Sequence, residues 1–447
     1  MKKERGCFFT NNKFYERLEE RYKVSYPEID NATYYNIVNY SPDLEKPIQR
    51  WYRYKEGYSL ELNEKIFKEF SVKNGDVICD PFCGGGSTLL WSLLSNVKSI
   101  GFEVNPFSAL LAKVKTRYYS EEDIKELDNQ IKKISSLIAK EYPVRKPKLS
   151  FIDKVFDKEV LELLLAYREY ILSINNIKVK DLMFLGWLSI LEELSNYRKA
   201  GNGLKRKRAN NRYQTKLLGK KENARFLLNL KLKSMLNDMR HYYGKIKEKY
   251  EANLYDVTAL EMGHYLTNDS LKGVIFSPPY ANCFDYTEIY KIELWMGEFV
   301  KEYSDLKELR KAALRSHLNA RNGNGIKEEI SNIPELNELL TALSEKELWD
   351  KRIPVMLNGY FQDMSTVLDS TYKYLKAGGF CCIVVSNSAY GGIVIPTDLL
   401  ISRIAESIGF KNLRIDVARY IITSSQQYKE TQEQKRYLRE SIIYLQK

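Results

Sequence analysis

The stretch VICDPFCGGGSTLLWSLL, residues 77–94, carries the main evidence for the fold. Its first apolar run predicts a buried strand, Val77–Asp80, which leads into three consecutive glycines. An apolar helical pattern begins near Ser87 or Thr88. A strand, a glycine turn and a helix in this order bring backbone N–H groups close to a bound cofactor. Glycine also serves ordinary tight turns, so this loop alone leaves both interpretations open.

A second predicted strand, SIGFEVNP at residues 99–106, supports the cofactor interpretation. Its acidic residue, Glu103, follows the glycine loop at about the 20-residue spacing at which a carboxylate accepts the hydroxyls of a ribose. The two features together predict an adenosine-containing cofactor. No lysine follows the glycines, which argues against a P-loop, and the absence of GxGxxG weakens a dinucleotide assignment.

Alternating strand-like and helix-like patterns predict an α/β domain with a mainly parallel sheet. Seven predicted strands suffice for a doubly wound sheet. They are Val77–Asp80, Ser99–Glu103, Asn253–Asp256, Gly273–Ser277, Phe380–Ser386, Lys411–Val417 and Glu440–Gln446. Lys/Glu/Leu-rich helical patterns replace strands in the middle of the chain. We therefore divide it into a first half, 1–118, a helical basic insertion, 119–250, and a second half, 251–447, with a smaller helical insertion at about 290–355.

Composition limits the class of protein. The chain has 447 residues, 44% of them hydrophobic, and a formal net charge of +12, which favours a polyanionic partner such as nucleic acid. An anionic membrane surface is the competing interpretation. No segment approaches the roughly 18 apolar residues of a membrane span, and the N-terminus lacks the apolar run of a signal peptide, so we expect a soluble cytoplasmic protein.

Cysteine and histidine spacing predicts no metal site. The six cysteines show no paired CxxC spacing and are predicted to be reduced core thiols. The three histidines, His241, His264 and His317, lie far apart in the sequence, so neither a metal site nor a Ser-His-Asp triad is indicated. We assign all three to surface or packing positions.

Two motifs resemble those of a known family. DPFCGGGST resembles motif I of the S-adenosylmethionine-dependent DNA amino-methyltransferases, and SPPY at residues 277–280 resembles their motif IV. The resemblance covers residues 45–118 and 250–447. It implies a Rossmann-like seven-stranded methyltransferase sheet and S-adenosyl-L-methionine as the cofactor.

The resemblance also implies cofactor-binding residues. Asp80 and the glycine loop would hold the methionine part, Glu103 the ribose, and Asp256 in NLYDVTAL the adenine amino group. The upstream segment RWYRYKEGYS resembles a further cofactor-binding element. The full expected set is Lys55, Gly57, Ser59, Asp80, Pro81, Phe82, Gly84, Gly86, Glu103 and Asp256. As an alternative, Asp256 caps a turn.

The motif at the end of the Gly273–Ser277 strand predicts chemistry on an exocyclic amine. The Ser277 hydroxyl and the Pro278 carbonyl would accept the two N–H bonds of the amine, so that its lone pair turns towards the methyl donor. Pro278 and Pro279 fix the backbone and remove competing donors, while Tyr280 would stack on a base flipped out of the duplex. A plain Pro-Pro turn is the alternative.

The first residue of this motif also bears on which base is methylated. Within the family, serine at this position is associated mostly with methylation of N4 of cytosine. N4 of cytosine is therefore the favoured target, and N6 of adenine is the alternative. Cytosine C5 methylation is disfavoured because it needs a thiolate nucleophile, and no Pro-Cys pair is present. Asp285, Tyr286, Arg419 and Gln426 are predicted to line the base pocket, although helix packing explains most of them equally well.

A basic stretch predicts where DNA is bound. Between Tyr197 and Phe226, eleven residues are Lys or Arg and one is Glu. We expect the following residues to contact DNA: Arg198, Lys199, Lys205, Arg206, Lys207, Arg208, Arg212 and Lys216. A solvated basic loop is the alternative.

These observations predict a site-specific methyltransferase acting on double-stranded DNA, with a cognate restriction endonuclease as a partner. The alternatives are an RNA methyltransferase and a catalytically silent nucleic-acid-binding subunit. The recognition sequence and the oligomeric state do not follow from the sequence.

Overall fold

The computed structural model describes residues 12–27, 37–201, 203–207, 219–320, 333–422, 427 and 429–447. The strands of these residues, in chain order, are β1 (Val24–Ser25), β2 (Val77–Asp80), β3 (Lys98–Phe102), β4 (Tyr197–Ala200), β5 (Gly203–Arg206), β6 (Asn253–Tyr255), β7 (Leu271–Phe276), β8 (Leu375–Ser386), β9 (Ser388–Tyr390), β10 (Ile393–Ile395), β11 (Lys411–Tyr420) and β12 (Arg439–Gln446). The α-helices of the same residues are α1 (Lys13–Glu19), α2 (Leu60–Glu69), α3 (Ser87–Leu94), α4 (Pro106–Thr116), α5 (Glu121–Ser135), α6 (Ile152–Val155), α7 (Lys158–Leu172), α8 (Ile177–Leu194), α9 (Lys220–Tyr242), α10 (Tyr286–Ile289), α11 (Lys291–Met296), α12 (Tyr303–Ala312), α13 (Pro334–Ser344), α14 (Ile353–Tyr374) and α15 (Thr397–Ile408).

The large sheet of the described residues has the order β1-β11-β12-β8-β7-β2-β3-β6. Neighbouring strands of this sheet are parallel, except that β12 is antiparallel to both β8 and β11. From β2 the chain first extends the sheet through β3 and β6 and then returns to the other side of β2 with β7. The strand order therefore reverses between β2 and β7, the kind of position at which open α/β sheets bind ligands.

This sheet confirms the predicted fold class. Each of the seven predicted strands is present in it, and the two-residue edge strand β1 is an addition that the sequence did not predict. The hairpins β4–β5 and β9–β10 lie outside the large sheet and were not predicted either.

The central strands are apolar along their whole length because helices cover both faces. In β8, Cys381 and Ile383 belong to the core that includes side chains of α14 and α15. Their neighbours Cys382 and Val384 belong to the core that includes α2. Successive side chains of a strand point to opposite faces, so a strand buried on both faces reads as a continuous apolar run.

The insertion at 119–250 packs on the α/β domain through one continuous core. Leu182 and Leu185 of α8 share this core with Phe107 and Leu111 of α4. The prediction that the insertion is helical was wrong for residues 197–206, which form the β4–β5 hairpin. The turn uses Gly201 at φ +57°, and its strands of four residues are too short to give a clear sequence period.

In the described part of the chain, none of the helices combines the length and the apolar character needed to cross a bilayer.

Candidate functional site

The carboxyl ends of β2 and β7 open onto a cleft with about 1070 Å³ of space between protein atoms, part of it open to solvent. We call its two parts the glycine-loop side and the Ser277 side. The glycine-loop side is lined by Tyr54, Glu56, Gly57, Tyr58, Asp80, Pro81, Phe82, Cys83, Gly84, Gly85, Ser87, Phe102, Glu103, Val104, Asn105, Val257, Thr258 and Ala259. The Ser277 side is lined by Ser277, Pro279, Asp285, Tyr286, Thr287, Leu309, Ala312, Ala313, Leu314, Ser316 and His317. The fold thus brings the two predicted motifs to one cavity.

The glycine loop is shaped by an aromatic side chain beneath it. Gly84 and Gly86 have φ of +46° and +77°, a region that favours glycine. A Cβ on Gly85 would lie 2.9 Å from Cγ of Tyr54, which is closer than carbon atoms pack. Tyr54 itself stacks on Tyr290 with ring centroids 5.3 Å apart. Gly84 and Gly85 therefore let the backbone approach Tyr54, whereas a Cβ on Gly86 would meet Ala112 at 3.1 Å.

Asp80 ends β2 with its carboxylate buried. The carboxylate accepts hydrogen bonds from the Phe82 N–H at 3.0 Å and the Tyr58 hydroxyl at 3.1 Å. Burial raises its pKa to about 7, although these hydrogen bonds oppose the shift. Asp80 is therefore poised between its neutral and charged forms at neutral pH.

Glu103 follows β3 and holds the glycine loop in place. Its carboxylate accepts the Gly84 N–H at 2.9 Å with one oxygen and the Asn105 N–H at 2.8 Å with the other. Burial raises its pKa to about 7 against the effect of these two donors. Each carboxylate oxygen has a second acceptor position, so the group can still receive two hydroxyls.

Asp256 follows β6 and is exposed rather than part of the cleft wall. The sheet places it beside Glu103, whose N–H donates to the carbonyl of Tyr255 at 3.1 Å. Its carboxylate is close enough to contribute to the raised pKa of Glu103. The residues that follow it, Val257 to Ala259, line the cleft.

The upstream segment contributes more of the wall than the sequence indicated. Gly57 lies in the wall as expected, and Tyr54, Glu56 and Tyr58 join it. Lys55 lies outside the wall because its ammonium donates to the carbonyl of Lys199 at 2.9 Å. Ser59 is buried outside the wall, and its hydroxyl has no hydrogen-bond partner among the described residues. No local period marks positions 54, 56 and 58, because residues 55 and 56 form a turn and Gly57 also lines the wall.

The SPPY motif lies directly after β7. Ser277 and Pro279 line the cleft, whereas Pro278 and Tyr280 are not part of its wall. The Tyr280 hydroxyl lies 3.4 Å from that of Ser277 and donates to Glu440, which also pairs with Arg419. Burial raises the pKa of Tyr280 well above its ordinary value, so it remains a neutral phenol. This network fixes the orientation of the Tyr280 ring.

The chain is similar in sequence to known DNA methylases and Type II methyltransferases. The sequence model of the N6/N4 methyltransferase family, described as DNA methylase, matches residues 8–114. The chain is 28% identical to Type II methyltransferase M.BsoBI of Geobacillus stearothermophilus over 91% of this chain and 88% of the relative. It is 27% identical to Type II methyltransferase M.AvaI of Nostoc sp. over 89% of this chain and 86% of the relative. These similarities support an amino-methyltransferase family.

For a DNA amino-methyltransferase, the family and the fold imply S-adenosylmethionine as the cofactor, and the glycine-loop side fits this group. It offers the backbone of the glycine loop, against which Tyr54 packs so closely that a Cβ on Gly85 would lie 2.9 Å from the ring. It also offers the buried carboxylate of Asp80 and the half-buried carboxylate of Glu103, in one cavity with the aromatic wall of Tyr54 and Phe82. Carboxylates suit an ammonium and a ribose diol, which are the polar parts of this cofactor.

The Ser277 side contains residues that the sequence did not predict. Asp285 and Tyr286 lie in the wall as predicted, and Arg310 donates to the Asp285 carboxylate at 2.8 Å. Ser316 and His317 join them from a segment about 30 residues further along the chain. Arg419 lies outside the wall and is paired with Glu440, and Gln426 lies outside the described residues. Nothing in the sequence around His317 predicted its place in the cleft.

The basic stretch divides into exposed and buried parts. Arg198, Lys205 and Arg206 are exposed on the β4–β5 hairpin, where Arg198 lies directly across from Lys205. Arg208, Arg212 and Lys216 lie outside the described residues. The hairpin packs beside α10, which supplies Tyr286 and Thr287 to the cleft wall.

Two residues of the predicted DNA-binding set serve the packing instead. The Lys199 ammonium is buried, pairs with Glu293 and donates to the Tyr52 hydroxyl, because alternate hairpin positions face the core. Lys207 donates to the carbonyls of Glu192 and Glu193, each at 2.8 Å, at the end of α8. The ammonium groups of Lys199 and Lys207 are therefore not offered to DNA.

Proposed function

We propose that this chain transfers a methyl group from S-adenosylmethionine to N4 of cytosine in a specific duplex DNA sequence. The observation that carries the proposal is that Ser277 and Pro279 share one cleft with the glycine loop and Glu103. N6 of adenine is the alternative acceptor, and the serine at position 277 favours cytosine.

The proposed cofactor site uses the glycine-loop side. Glu103 would accept the ribose hydroxyls, Asp80 and the loop would hold the methionine part, and Asp256 would receive the adenine amino group. When bound, the cofactor supplies an electrophilic methyl group on a sulfonium. Burial raises the pKa of Asp80 and of Glu103, and a cationic ligand would favour their charged forms.

The proposed chemistry at the base uses two fixed acceptors. The Ser277 hydroxyl and the Pro278 carbonyl would accept hydrogen bonds from the two N–H groups of the target amine. This directs the nitrogen lone pair away from the base plane. Pro279 holds this backbone rigid, since it fixes φ and has no N–H to compete. Tyr280 would contact the flipped base with its ring, because its hydroxyl is already held by Glu440.

Charge supports duplex DNA as the substrate. Like charges directly across a β hairpin are destabilising by themselves, so the Arg198 and Lys205 pair is best explained by a polyanionic partner. Because the hairpin lies beside α10, phosphates bound there would hold the duplex next to the Ser277 side. The similarity to Type II methyltransferases favours a role in a restriction-modification system, with a separate cognate endonuclease.

The test is methyl transfer to mixed-sequence duplex DNA from tritiated S-adenosylmethionine, followed by digestion and separation of the nucleosides. We expect label in N4-methylcytosine. Ser277→Ala is expected to lower kcat by about 100-fold or more, because it removes one hydrogen-bond acceptor that stabilises the positive charge developing on the amine nitrogen. The control Ser136→Ala changes a hydroxyl on the exposed end of α5 and should leave kcat unchanged.

The other outcomes separate the alternatives. Label in N6-methyladenine would support the same mechanism with adenine, and not cytosine, as the target base. Transfer to RNA but not to DNA, in a direct competition between the two substrates, would overturn DNA as the substrate. A wild-type protein that binds the cofactor and transfers nothing to either would overturn the proposal.

A further inference from the structure

His317 lies in the wall of the Ser277 side, in the same cavity as Ser277 and Pro279. Its imidazole is buried, and burial lowers its pKa below the ordinary value, assisted by the charge of Arg310 and opposed by that of Asp285. The ring is therefore neutral at neutral pH, and a neutral imidazole has one N–H donor and one acceptor nitrogen.

A backbone contact fixes which nitrogen is the donor. The Asn319 N–H donates to Nδ1 of His317 at 3.2 Å, so Nδ1 carries a lone pair and the proton of the neutral ring lies on Nε2. The nearest carboxylate oxygen, Oδ2 of Asp285, is 3.9 Å from Nδ1, beyond hydrogen-bond distance. His317 is therefore an Nε2–H donor in the wall of the cleft.

The segment that carries His317 is held rigidly against the SPPY loop. The carbonyl of Ser316 accepts the N–H of Cys283 at 3.1 Å, three residues after the motif. Arg315 donates its backbone N–H to Asp363 of α14 at 3.0 Å and pairs with the same carboxylate through its guanidinium at 2.6 Å. A donor held this way loses little freedom when a ligand arrives, which is the arrangement expected of a specificity contact.

The donor complements the edge of an amino-bearing base. Cytosine and adenine each place a ring-nitrogen acceptor, N3 and N1, beside the exocyclic amine. Thymine and guanine place a carbonyl and a ring N–H there instead. If Ser277 and Pro278 accept hydrogen bonds from the amine, the ring nitrogen beside it, N3 of cytosine or N1 of adenine, needs a hydrogen-bond donor from the protein.

We propose that His317 reads the target base by donating its Nε2–H to the ring nitrogen beside the methylated amine, which is N3 for cytosine. The inference rests on the proposed function and adds a specificity residue to it. Thymine and guanine would be rejected, since their ring N–H would face another N–H, and an unpaired buried donor is costly.

The first test compares His317→Phe, His317→Gln and His264→Phe with the wild-type protein. His264 is exposed, so its replacement is the matched control. We expect His317→Phe to lower kcat/KM for DNA by about 10- to 100-fold, as loss of one base contact does, while the dissociation constant for S-adenosylmethionine stays within about twofold. His317→Gln keeps an N–H donor and should recover part of the activity. Wild-type activity in His317→Phe would overturn the inference.

The second test changes the DNA, so that its first comparison uses only the wild-type protein. Once the methylated position is mapped, a synthetic duplex carries 3-deazacytosine there, or 1-deazaadenine if adenine is the target. The analogue should slow the wild-type protein and cause no further loss in His317→Phe, because both changes remove the same hydrogen bond. Independent, multiplying losses would overturn the contact. Failure of the wild-type protein to methylate unmodified DNA is a separate result and would overturn the proposed function.

Discussion

The two sides of the cleft are built in different ways. The glycine-loop side is made mainly from backbone and from two carboxylates, one that ends β2 and one that directly follows β3, and the second of these, Glu103, binds the loop itself. The Ser277 side is assembled from sequence-distant segments that ion pairs hold together, such as Arg310 with Asp285 and Arg315 with Asp363. Local sequence order therefore specifies the first side, whereas tertiary packing specifies the second.

The largest effect on the glycine-loop side is expected from a substitution that pushes the loop and the Tyr54 ring apart. Gly85→Leu places a side chain where the Tyr54 ring already lies 2.9 Å from the Cβ position, so the loop or the ring must move. We expect the dissociation constant for S-adenosylmethionine to rise by about 100-fold, measured by calorimetry, since overpacking of this kind costs up to about 3 kcal/mol. Gly203→Leu has open space at its Cβ and is the matched control. Unchanged cofactor binding in Gly85→Leu would contradict the assignment of this loop.

Loss of an ion pair on the Ser277 side should lower activity on DNA without lowering cofactor affinity. Arg315→Met leaves the Asp363 carboxylate, only 7% exposed, without its partner and frees the segment that carries His317. We expect kcat/KM for DNA to fall by about 10- to 50-fold, a cost of about 1.4 to 2.3 kcal/mol in transition-state stabilisation. Cofactor affinity should be unchanged.

Arg240→Met is the control for that ion pair, because the Arg240 side chain is 53% exposed and its ion pair with Asp128 lies at the surface. An equal loss of cofactor affinity in Arg315→Met would show that the two sides are one structural unit.

The same contrast explains what the sequence could predict. The seven strands and the set Asp80, Gly84 and Glu103 follow from contiguous patterns, in which the strand, its turn and its acidic residue are neighbours. His317 could not be found in this way. It reaches the cleft only because α12 and α14 hold residues 313–320 against the loop after β7, and no local period records that packing.

The basic stretch is an intermediate case. The sequence shows its charge, but which cations face solvent depends on the two-residue alternation of the β4–β5 hairpin. That hairpin was covered only by the prediction of a helical insertion and by the alternative of a solvated basic loop. With the hairpin known, Arg198 and Lys205 point one way and Lys199 the other. A correct secondary-structure assignment would have removed Lys199 from the predicted DNA-binding set.

The two sides should also differ in their response to pH. Burial raises the pKa of Asp80 and of Glu103 to about 7, so both carboxylates become charged as the pH rises from 6 to 8. Only the charged forms accept hydroxyls and attract an ammonium fully, so binding releases protons. Affinity for S-adenosylhomocysteine, the stable product, should therefore rise by about three- to tenfold over this interval.

Glu103→Gln tests the origin of this pH dependence, because the amide does not titrate. The variant should bind more weakly at every pH and with a flatter profile. Glu61→Gln on α2, at a side chain 46% exposed, is the control and should keep the wild-type slope. Affinity that falls as the pH rises from 6 to 8 would contradict charged carboxylates as the binding form.

The smallest expected effect concerns DNA held beside the Ser277 side. The double variant Arg198→Gln with Lys205→Gln removes two exposed cations of the hairpin and should raise the KM for DNA by about three- to fivefold at moderate salt. The slope of log affinity against log salt should fall by about two, because each phosphate contact contributes about 0.9 to it. Cofactor affinity should not change. Lys125→Gln with Lys132→Gln removes two exposed cations of α5 that already pair with Glu121 and Asp128, so it should leave the slope unaltered. An equal change in the two double variants would mean that net charge alone attracts DNA and that the hairpin has no special place beside the cleft.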